Sequence, residues 1–422
     1  MKALKMEGKR LITSLRLQNF LSYGSKAEEV ILQPLNVIIG RNASGKSNLI
    51  EAIKLLRGAT IGLSEHFREG GGVSEYLWKG KQARAQVVPT SRIEATVVSR
   101  KKSTPFRYEL GFTMSDYGPL VVDEVIGTES GPAPLFPSKS SSSRKKDQPS
   151  YSLHEGEAVL YLKNPAGPVD DRSETRSRQV LSKARGEIRL DESVLSQRRG
   201  DVYPEITYLA NVFRGIRAYD EFSFRPGTFA AFPQRANLPD DFLLEDASNL
   251  GMVLDALGHE ETPMVRIVEE MREFYPQVKR ILSMIRDGTV RAFIEESGLT
   301  QRISANRLSR GTLRYLCLLT ILCHPKPPAL VCIEEPELGL HPDVMPRLAE
   351  LLKTASAHTQ LVVTTHSDTL VSALSDQPDA VIVCERDDDG THLQRLESRK
   401  LKLWLEKYSL GELWRMGEIG GN

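Results

Sequence analysis

One octapeptide, Gly40-Arg41-Asn42-Ala43-Ser44-Gly45-Lys46-Ser47, constrains this chain more than any other feature. It follows a short, mostly apolar run at residues 35–39 and opens a helix-like stretch at 48–56. Strand, glycine-bounded loop, Lys-Ser and helix in that order form a cradle for a nucleoside triphosphate. A polyphosphate carries several negative charges. A turn opened by Gly40 and Gly45 lets the N–H groups of Asn42, Ala43, Ser44 and their neighbours through Asn48 point inward, while the helix N-terminus adds the positive end of its dipole. Lys46 can reach the β- and γ-phosphates as a point charge, and the Ser47 hydroxyl is placed to ligate Mg2+. A chance glycine-rich loop is the bland alternative, and it leaves the strand, the spacing and the helix unexplained.

A second constellation lies far along the chain. Residues 329–333 (Ala-Leu-Val-Cys-Ile) read as a buried strand ending in Glu334 and Glu335, whose side chains point different ways because they are successive. Glu334 suits a metal-holding role, directly or through water. Glu335 suits polarising the attacking water, a contribution typically worth roughly 10² to 10⁴ in rate. A solvated acidic loop is the alternative. His366 ends the next apolar strand, 360–364, and parallel neighbours bring such ends together at a ligand crevice. Leu308-Ser309-Arg310-Gly311-Thr312 stands before an apolar helix at 312–323, where Ser309 reads either as a second anion-binding device or as a plain N-cap.

In this order, GRNASGKS, LSRGT, VCIEEPELGLHP and TTHS resemble the ABC-type ATPase heads of the SMC and RecF-like group. More narrowly, they resemble stand-alone bacterial AAA-family ATPases found beside nucleases in defence loci, OLD-like without the Toprim nuclease. The resemblance spans nearly the whole chain. It implies an α/β P-loop NTPase fold: an ABC-ATPase head with a mixed central sheet, an antiparallel β lobe and a helical subdomain. It implies ATP and Mg2+ as cofactors and a homodimer or higher homo-oligomer, in which Ser309, Gly311 and Thr312 contact the γ-phosphate held by the other subunit. Leu340 and His341 fall in the matching D-loop. Gln197 matches the Q-loop glutamine that senses the metal, although a single Gln in a polar segment is also an ordinary surface residue. Glu334 stands where most ABC heads have Asp.

The organisation expected from pattern is an ATPase core at 1–90 and 301–398, a β lobe at 91–200, a helical or lid subdomain at 201–300 and a tail at 399–422. Strands at 14–20 and 35–39 are expected to flank the phosphate loop. Runs at 92–98, 106–114 and 120–125 alternate as an antiparallel meander. Residues 128–150, rich in Pro and Ser, read as a flexible insert. A hairpin is expected around Glu155-Gly156-Glu157, and a charge-rich helix or linker at 170–184. Helices are read at 250–257 and 265–274, a β pair about Asp287-Gly288, and a helix at 344–355. The tail, 401–416, has apolar residues at roughly helical spacing, which suits core packing better than partner docking.

Composition bounds the rest. With 40% hydrophobic and 26% charged residues the chain can bury a core, and a formal charge of +1 gives no global attraction for nucleic acid. DNA contact would then fall to local clusters: Arg100-Lys101-Lys102, Arg144-Lys145-Lys146 and Arg198-Arg199. The four cysteines, Cys317, Cys323, Cys332 and Cys384, lie in apolar stretches without C-x-x-C spacing and read as core residues in a reducing compartment. No secretory leader and no long apolar span is read, so the cytoplasm is expected, with no membrane association. The 56 residues after His366 are too few for an added catalytic domain, so any nuclease or toxin effector is expected on a separate protein. The function expected is an ATP-driven switch over a DNA-directed process, DNA repair or antiphage defence. The alternatives are an ATP-dependent scaffold that sequesters a toxin or nuclease with little turnover, and a transporter subunit, disfavoured by the large β insert.

Overall fold

Alternation and burial distribute the strands of the described residues among three sheets. The computed structural model describes residues 9–80, 89–99, 104–128, 150–154, 156–163, 176–182, 186–220 and 229–421. Strands β1 (Ile12–Gln18), β2 (Glu28–Ile31) and β3 (Leu35–Ile39) precede helices α1 (Lys46–Ile61), α2 (Leu63–Glu69) and α3 (Val73–Tyr76). Six strands follow: β4 (Ser91–Val97), β5 (Phe106–Ser115), β6 (Gly118–Thr128), β7 (Tyr151–His154), β8 (Glu157–Lys163) and β9 (Arg176–Ser182). Next come α4 (Val194–Gln197), α5 (Pro204–Arg214), β10 (Arg217–Tyr219), β11 (Gln234–Arg235), α6 (Leu250–Gly258) and α7 (Glu261–Phe274). The chain continues through β12 (Val278–Arg286), β13 (Thr289–Glu296), β14 (Ile303–Ser304), α8 (Arg310–Leu322), β15 (Leu330–Glu334), α9 (Met345–Ser356) and β16 (Gln360–Thr364). It closes with α10 (Asp368–Ser372), β17 (Val381–Asp387), β18 (Gly390–Arg395), α11 (Ser398–Leu405) and α12 (Leu410–Arg415).

The central sheet has the order β10-β15-β16-β3-β17-β18, parallel except for its last strand. Its side chains alternate between two cores. Val37, Val331, Ile333 and Val363 face α8 and α9, whereas Ile38, Cys332, Val362 and Ile382 face α1 and the antiparallel sheet. A fully buried aliphatic side chain contributes roughly 1.5–3 kcal/mol, and an unpaired buried amide costs a comparable amount. The polar members of this buried sheet are therefore paired. The Asn36 Nδ2 donates to the Leu361 carbonyl at 2.9 Å, and its Oδ1 accepts from Gln33 N at 2.8 Å and the Arg395 guanidinium at 2.6 Å. Gln360 accepts from the N–H groups of Leu11 and Ile12 and donates to the Ile12 carbonyl, which stitches the two large sheets together.

The antiparallel sheet has the order β2-β1-β4-β5-β6-β7-β8-β9. The expected meander is present, and β7 pairs antiparallel with β8, His154 opposite Glu157, as the expected hairpin requires. Two expectations are corrected. Strand β1 does not flank the phosphate loop within the central sheet; it pairs with β2 and β4, and only the turn after it reaches the loop. Residues 176–182 form β9 instead of a charged helix or linker, because their backbone pairs with β8 along its length. The insert at 129–149 lies outside the described residues. Glu124 of β6 is buried at the start of α4, where its carboxylate accepts from Tyr108 Oη at 2.8 Å, Val194 N at 2.9 Å and Ser193 Oγ. Burial pushes Glu124 up to about 7, against the pull of those three bonds.

The third sheet, β11-β13-β12 with β14 on β13, packs with α6 and α7. The expected β pair turns at Asp287 and Gly288, both at positive φ, as a two-residue hairpin requires. All four cysteines are free and buried. Among the described residues no helix is long and apolar enough to cross a membrane.

Candidate functional site

The C-terminal ends of β15, β16 and β3 stand side by side, with Glu334 opposite Thr364 and Thr364 opposite Ile38. The phosphate loop leaves β3 at this crest. Gly45 has φ +111°, and a Cβ there would meet Thr391 Oγ1 at 2.3 Å and Ser22 Oγ at 2.5 Å, so only glycine lets the loop lie this close to its supports. Those supports are themselves linked: Thr391 Oγ1 donates to the Ser44 carbonyl at 2.7 Å and lies 2.7 Å from Ser22 Oγ, which accepts from Asn48 Nδ2 at 2.6 Å. Arg41, Asn42 and Ala43 are exposed along the loop. Lys46 begins α1, and its Nζ donates to the carbonyls of Gly40 at 2.7 Å and Arg41 at 2.8 Å, folded over the cradle. Burial lowers Lys46 from its ordinary value, and nearby acids, Glu335 and Glu334 among them, oppose that shift.

Glu334 and Glu335 diverge as successive strand-end residues should. The Ser47 hydroxyl donates to Glu334 Oε2 at 2.8 Å. Burial raises Glu334 above the ordinary carboxylate range, with the Ser47 bond acting against it. A half-buried carboxylate beside a hydroxyl at the phosphate loop is a donor set for a hard cation. Ser44 Oγ is also buried with no hydrogen-bond partner. Both observations fit a magnesium-bound polyphosphate. Glu335 lies 3.5 Å from His366 Nε2. Its backbone has φ +44°, a left-handed conformation that costs energy away from glycine, held by Thr364 O and Oγ1 on its N–H and by Arg314 on its carbonyl at 2.6 Å.

Sequence reasoning missed the supports of this pair. Glu337 Oε1 accepts from Thr365 Oγ1 and from His366 N, each at 2.7 Å, and so sets the backbone that carries His366. Its signal was the last Glu of the Glu-Glu-Pro-Glu run. Arg314 joins α8, the helix opened by the 308–312 turn, here termed the signature turn, to Glu335; an Arg within an apolar helix was the available sign.

Ser309 is exposed and caps α8, with Oγ accepting from Thr312 N at 3.1 Å and lying 2.8 Å from Thr312 Oγ1. A Cβ on Gly311 would meet the Gly339 carbonyl at 2.6 Å, so the signature turn presses on the segment carrying Leu340 and His341. Leu340 packs against the core, while His341 is exposed and accepts from Asp343 N at 3.3 Å. The structure does not bring Gln197 to the phosphate loop. Its amide is occupied by the backbone of Arg189, Glu192 and Ser193, where it staples the turn before α4. Arg198 and Arg199 likewise donate to backbone carbonyls, including those of Glu187 and Thr60. The clusters at 100–102 and 144–146 lie outside the described residues.

Two cavities flank the loop. The larger, about 860 Å³, runs along α1 from Ser47 past Glu51, Glu65, Glu69 and Asp220. Its carboxylates repel phosphate, whatever its size. The smaller, about 540 Å³, lies between the loop, Arg386 and His392, and is electrostatically the better neighbour for a nucleotide.

A phosphate loop after one central strand, paired carboxylates after a second and a histidine after a third define a P-loop ATPase head of the ABC type, SMC- and RecF-like and OLD-like in kind. The chain belongs to the family described as "AAA domain, putative AbiEii toxin, Type IV TA system", which matches residues 35–372. It is 21% identical to the Old nuclease of Escherichia phage P2, an alignment covering 93% of this chain and 62% of that protein. The chain thus spans under two thirds of that relative. In fold it is similar to an Smc head bound to the C-winged helix domain of ScpA, at TM-score 0.57 and 14% identity over 93% of this chain and 99% of that one. An Smc head with an extended coiled coil, bound to the C-terminal domain of ScpA derived from Pyrococcus furiosus, gives 0.54 and 15% over 94% and 99%. The family is one of nucleotide-binding ATPases.

Proposed function

We propose that this chain binds ATP with Mg2+ at the 40–47 loop, hydrolyses it, and closes as a homodimer that switches a DNA-directed process, antiphage defence or DNA repair. The observation that carries the reading is the divergence of Glu334 and Glu335: one carboxylate on Ser47, the next beside His366, both on the crest that carries the loop. Bound magnesium would be held by Ser47 and Glu334 and would neutralise part of the charge on the polyphosphate. Lys46 would leave the Gly40 and Arg41 carbonyls for the phosphate oxygens. Glu335 would accept a proton from the attacking water, and His366, beside it, would orient that water or contact the γ-phosphate. Ser44 N and Asn48 N, which donate to the Arg41 carbonyl at 3.3 Å and the Gly45 carbonyl at 3.1 Å, would share those bonds with the phosphates or exchange them.

Dimerisation is supported by the exposed position of Ser309 at a helix N-terminus. In the proposed dimer Ser309, Gly311 and Thr312 meet the nucleotide of the other subunit, with Leu340 and His341 at the same interface. Charge-assisted bonds to the γ-phosphate would hold the halves together until hydrolysis removes them. The DNA-directed role is supported by the name of the Old nuclease relative. A separate nuclease or toxin effector would read the closed state. Gln197 would join the metal site only if the turn before α4 releases its amide.

Phosphate release and solution mass, measured with and without ATP, test the reading in Glu335→Gln. The variant should bind ATP, accumulate as a dimer and release little phosphate. Hydrolysis at the wild-type rate would overturn the assignment of Glu335, and a monomer under every nucleotide condition would overturn the dimer.

A further inference from the structure

The tail was expected to pack into the core, and its two helices behave differently. In α12, Leu410, Leu413 and Trp414 are buried. In α11 no residue is fully buried; Leu401 and Leu405 rest against the core, while Leu403 is 75% exposed, Trp404 42% and Tyr408 39%. Tyr408 N donates to the Trp404 carbonyl at 2.9 Å, so the helical pitch continues past Leu405 and Lys400, Trp404, Lys407 and Tyr408 share one outward stripe. The two rings lie 6.1 Å apart at 41°. Among the described residues Arg399, Lys402 and Lys407 have no carboxylate partner, and Lys400 pairs only with Glu397 at 2.6 Å.

We propose that α11 and the turn after it bind single-stranded nucleic acid, with bases stacked on Trp404 and Tyr408 and phosphates met by Lys400 and Lys407 on the same stripe. Three features of residues 397–408 select this occupant. Four cations against two carboxylates, Glu397 and Glu406, make a local positive patch on a chain of net charge +1. Exposed aromatic faces suit unpaired bases, which duplex stacking would hide. A protein-docking patch would favour the aromatics but disfavour so many lysines.

The surface is remote from the nucleotide site. Helix α11 starts where Ser398 N donates to Asp379 at 2.9 Å, just before β17, and β17 runs parallel to β3. Its beginning therefore lies at the opposite end of the sheet from the phosphate loop. The proposal supplies a ligand for the DNA-directed reading and rests on it for its biological meaning, yet oligonucleotide binding and phosphate release can fail separately.

Fluorescence anisotropy of a short labelled oligo(dT) on the full chain is the test, with thermal melting and phosphate release as controls for folding. The double variant Trp404→Ala/Tyr408→Ala should weaken binding by roughly 10-fold or more. Lys400→Glu/Lys407→Glu should weaken it and flatten its dependence on salt. Both should melt and hydrolyse like the wild type. The proposal is overturned if the wild type does not bind the oligonucleotide, if neither variant changes binding, if duplex of the same length binds better, or if the aromatic variant alters only the oligomeric mass.

Discussion

In the proposed function the phosphate-loop crest and the signature turn are both anion-binding devices, yet they are built in opposite ways. At the crest, Lys46, Ser47, Glu334, Glu335 and His366 gather at the C-terminal ends of three neighbouring strands and are held by bonds that reach across the chain, such as Ser47 to Glu334 and Glu337 to His366. At the signature turn the Ser309 side chain bonds, among the described residues, only with Thr312, three residues on, and stays exposed. The first region is complete within one copy of the chain. The second has its local polar groups satisfied and faces outward, which is what a surface awaiting a second copy requires.

Substitutions can break this comparison, and the largest effect is expected at the crest. Glu335→Gln should lower steady-state phosphate release by roughly 10² to 10⁴ while nucleotide binding persists. Lys46→Ala should weaken nucleotide binding by about 1.5–3 kcal/mol, read by equilibrium titration with a fluorescent ATP analogue. Unchanged affinity would place the phosphates elsewhere. At the turn, Gly311→Ala should destabilise the fold by about 1–3 kcal/mol in a urea titration, because its Cβ meets the Gly339 carbonyl at 2.6 Å. Ser309→Ala should cost only about 1 kcal/mol as a lost cap, so a large fall in hydrolysis with little loss of stability would separate the trans role from the capping role.

Away from both regions, Glu124 predicts a pH dependence. Its value in the fold, about 7, lies above the ordinary carboxylate value of 4.5, so the folded state binds the extra proton between these limits. Stability should fall as pH rises from 4.5 to 7 and then level off. Glu124→Gln should flatten that segment of a melting-temperature profile; an unchanged slope would show that another group carries it.

Legibility in the sequence followed the range of the interactions. The phosphate loop was readable because strand, turn and helix are contiguous, and Glu334, Glu335 and His366 because each ends a buried apolar run. The sheet membership of β1 was not, since a strand's partners are set by distant segments. Strand β9 was hidden by its charges, which an edge strand tolerates. Gln197 was the least legible residue, because an amide in a polar segment takes whatever partners the surrounding turn presents, and here those are backbone groups of 189–193. Glu337 and Arg314 act by bonding backbone brought near by the fold, a role that no local pattern announces.

Mixing two inactive variants tests the shared site most directly. Glu335→Gln keeps an intact signature turn, and Ser309→Arg keeps an intact crest. If each nucleotide is held between the crest of one copy and the turn of the other, phosphate release should be lost in each variant alone and should return when the two are combined, since one of the two sites in a mixed dimer is whole. No recovery from a mixture that forms dimers, or full hydrolysis by Ser309→Arg alone as a monomer, would contradict the account.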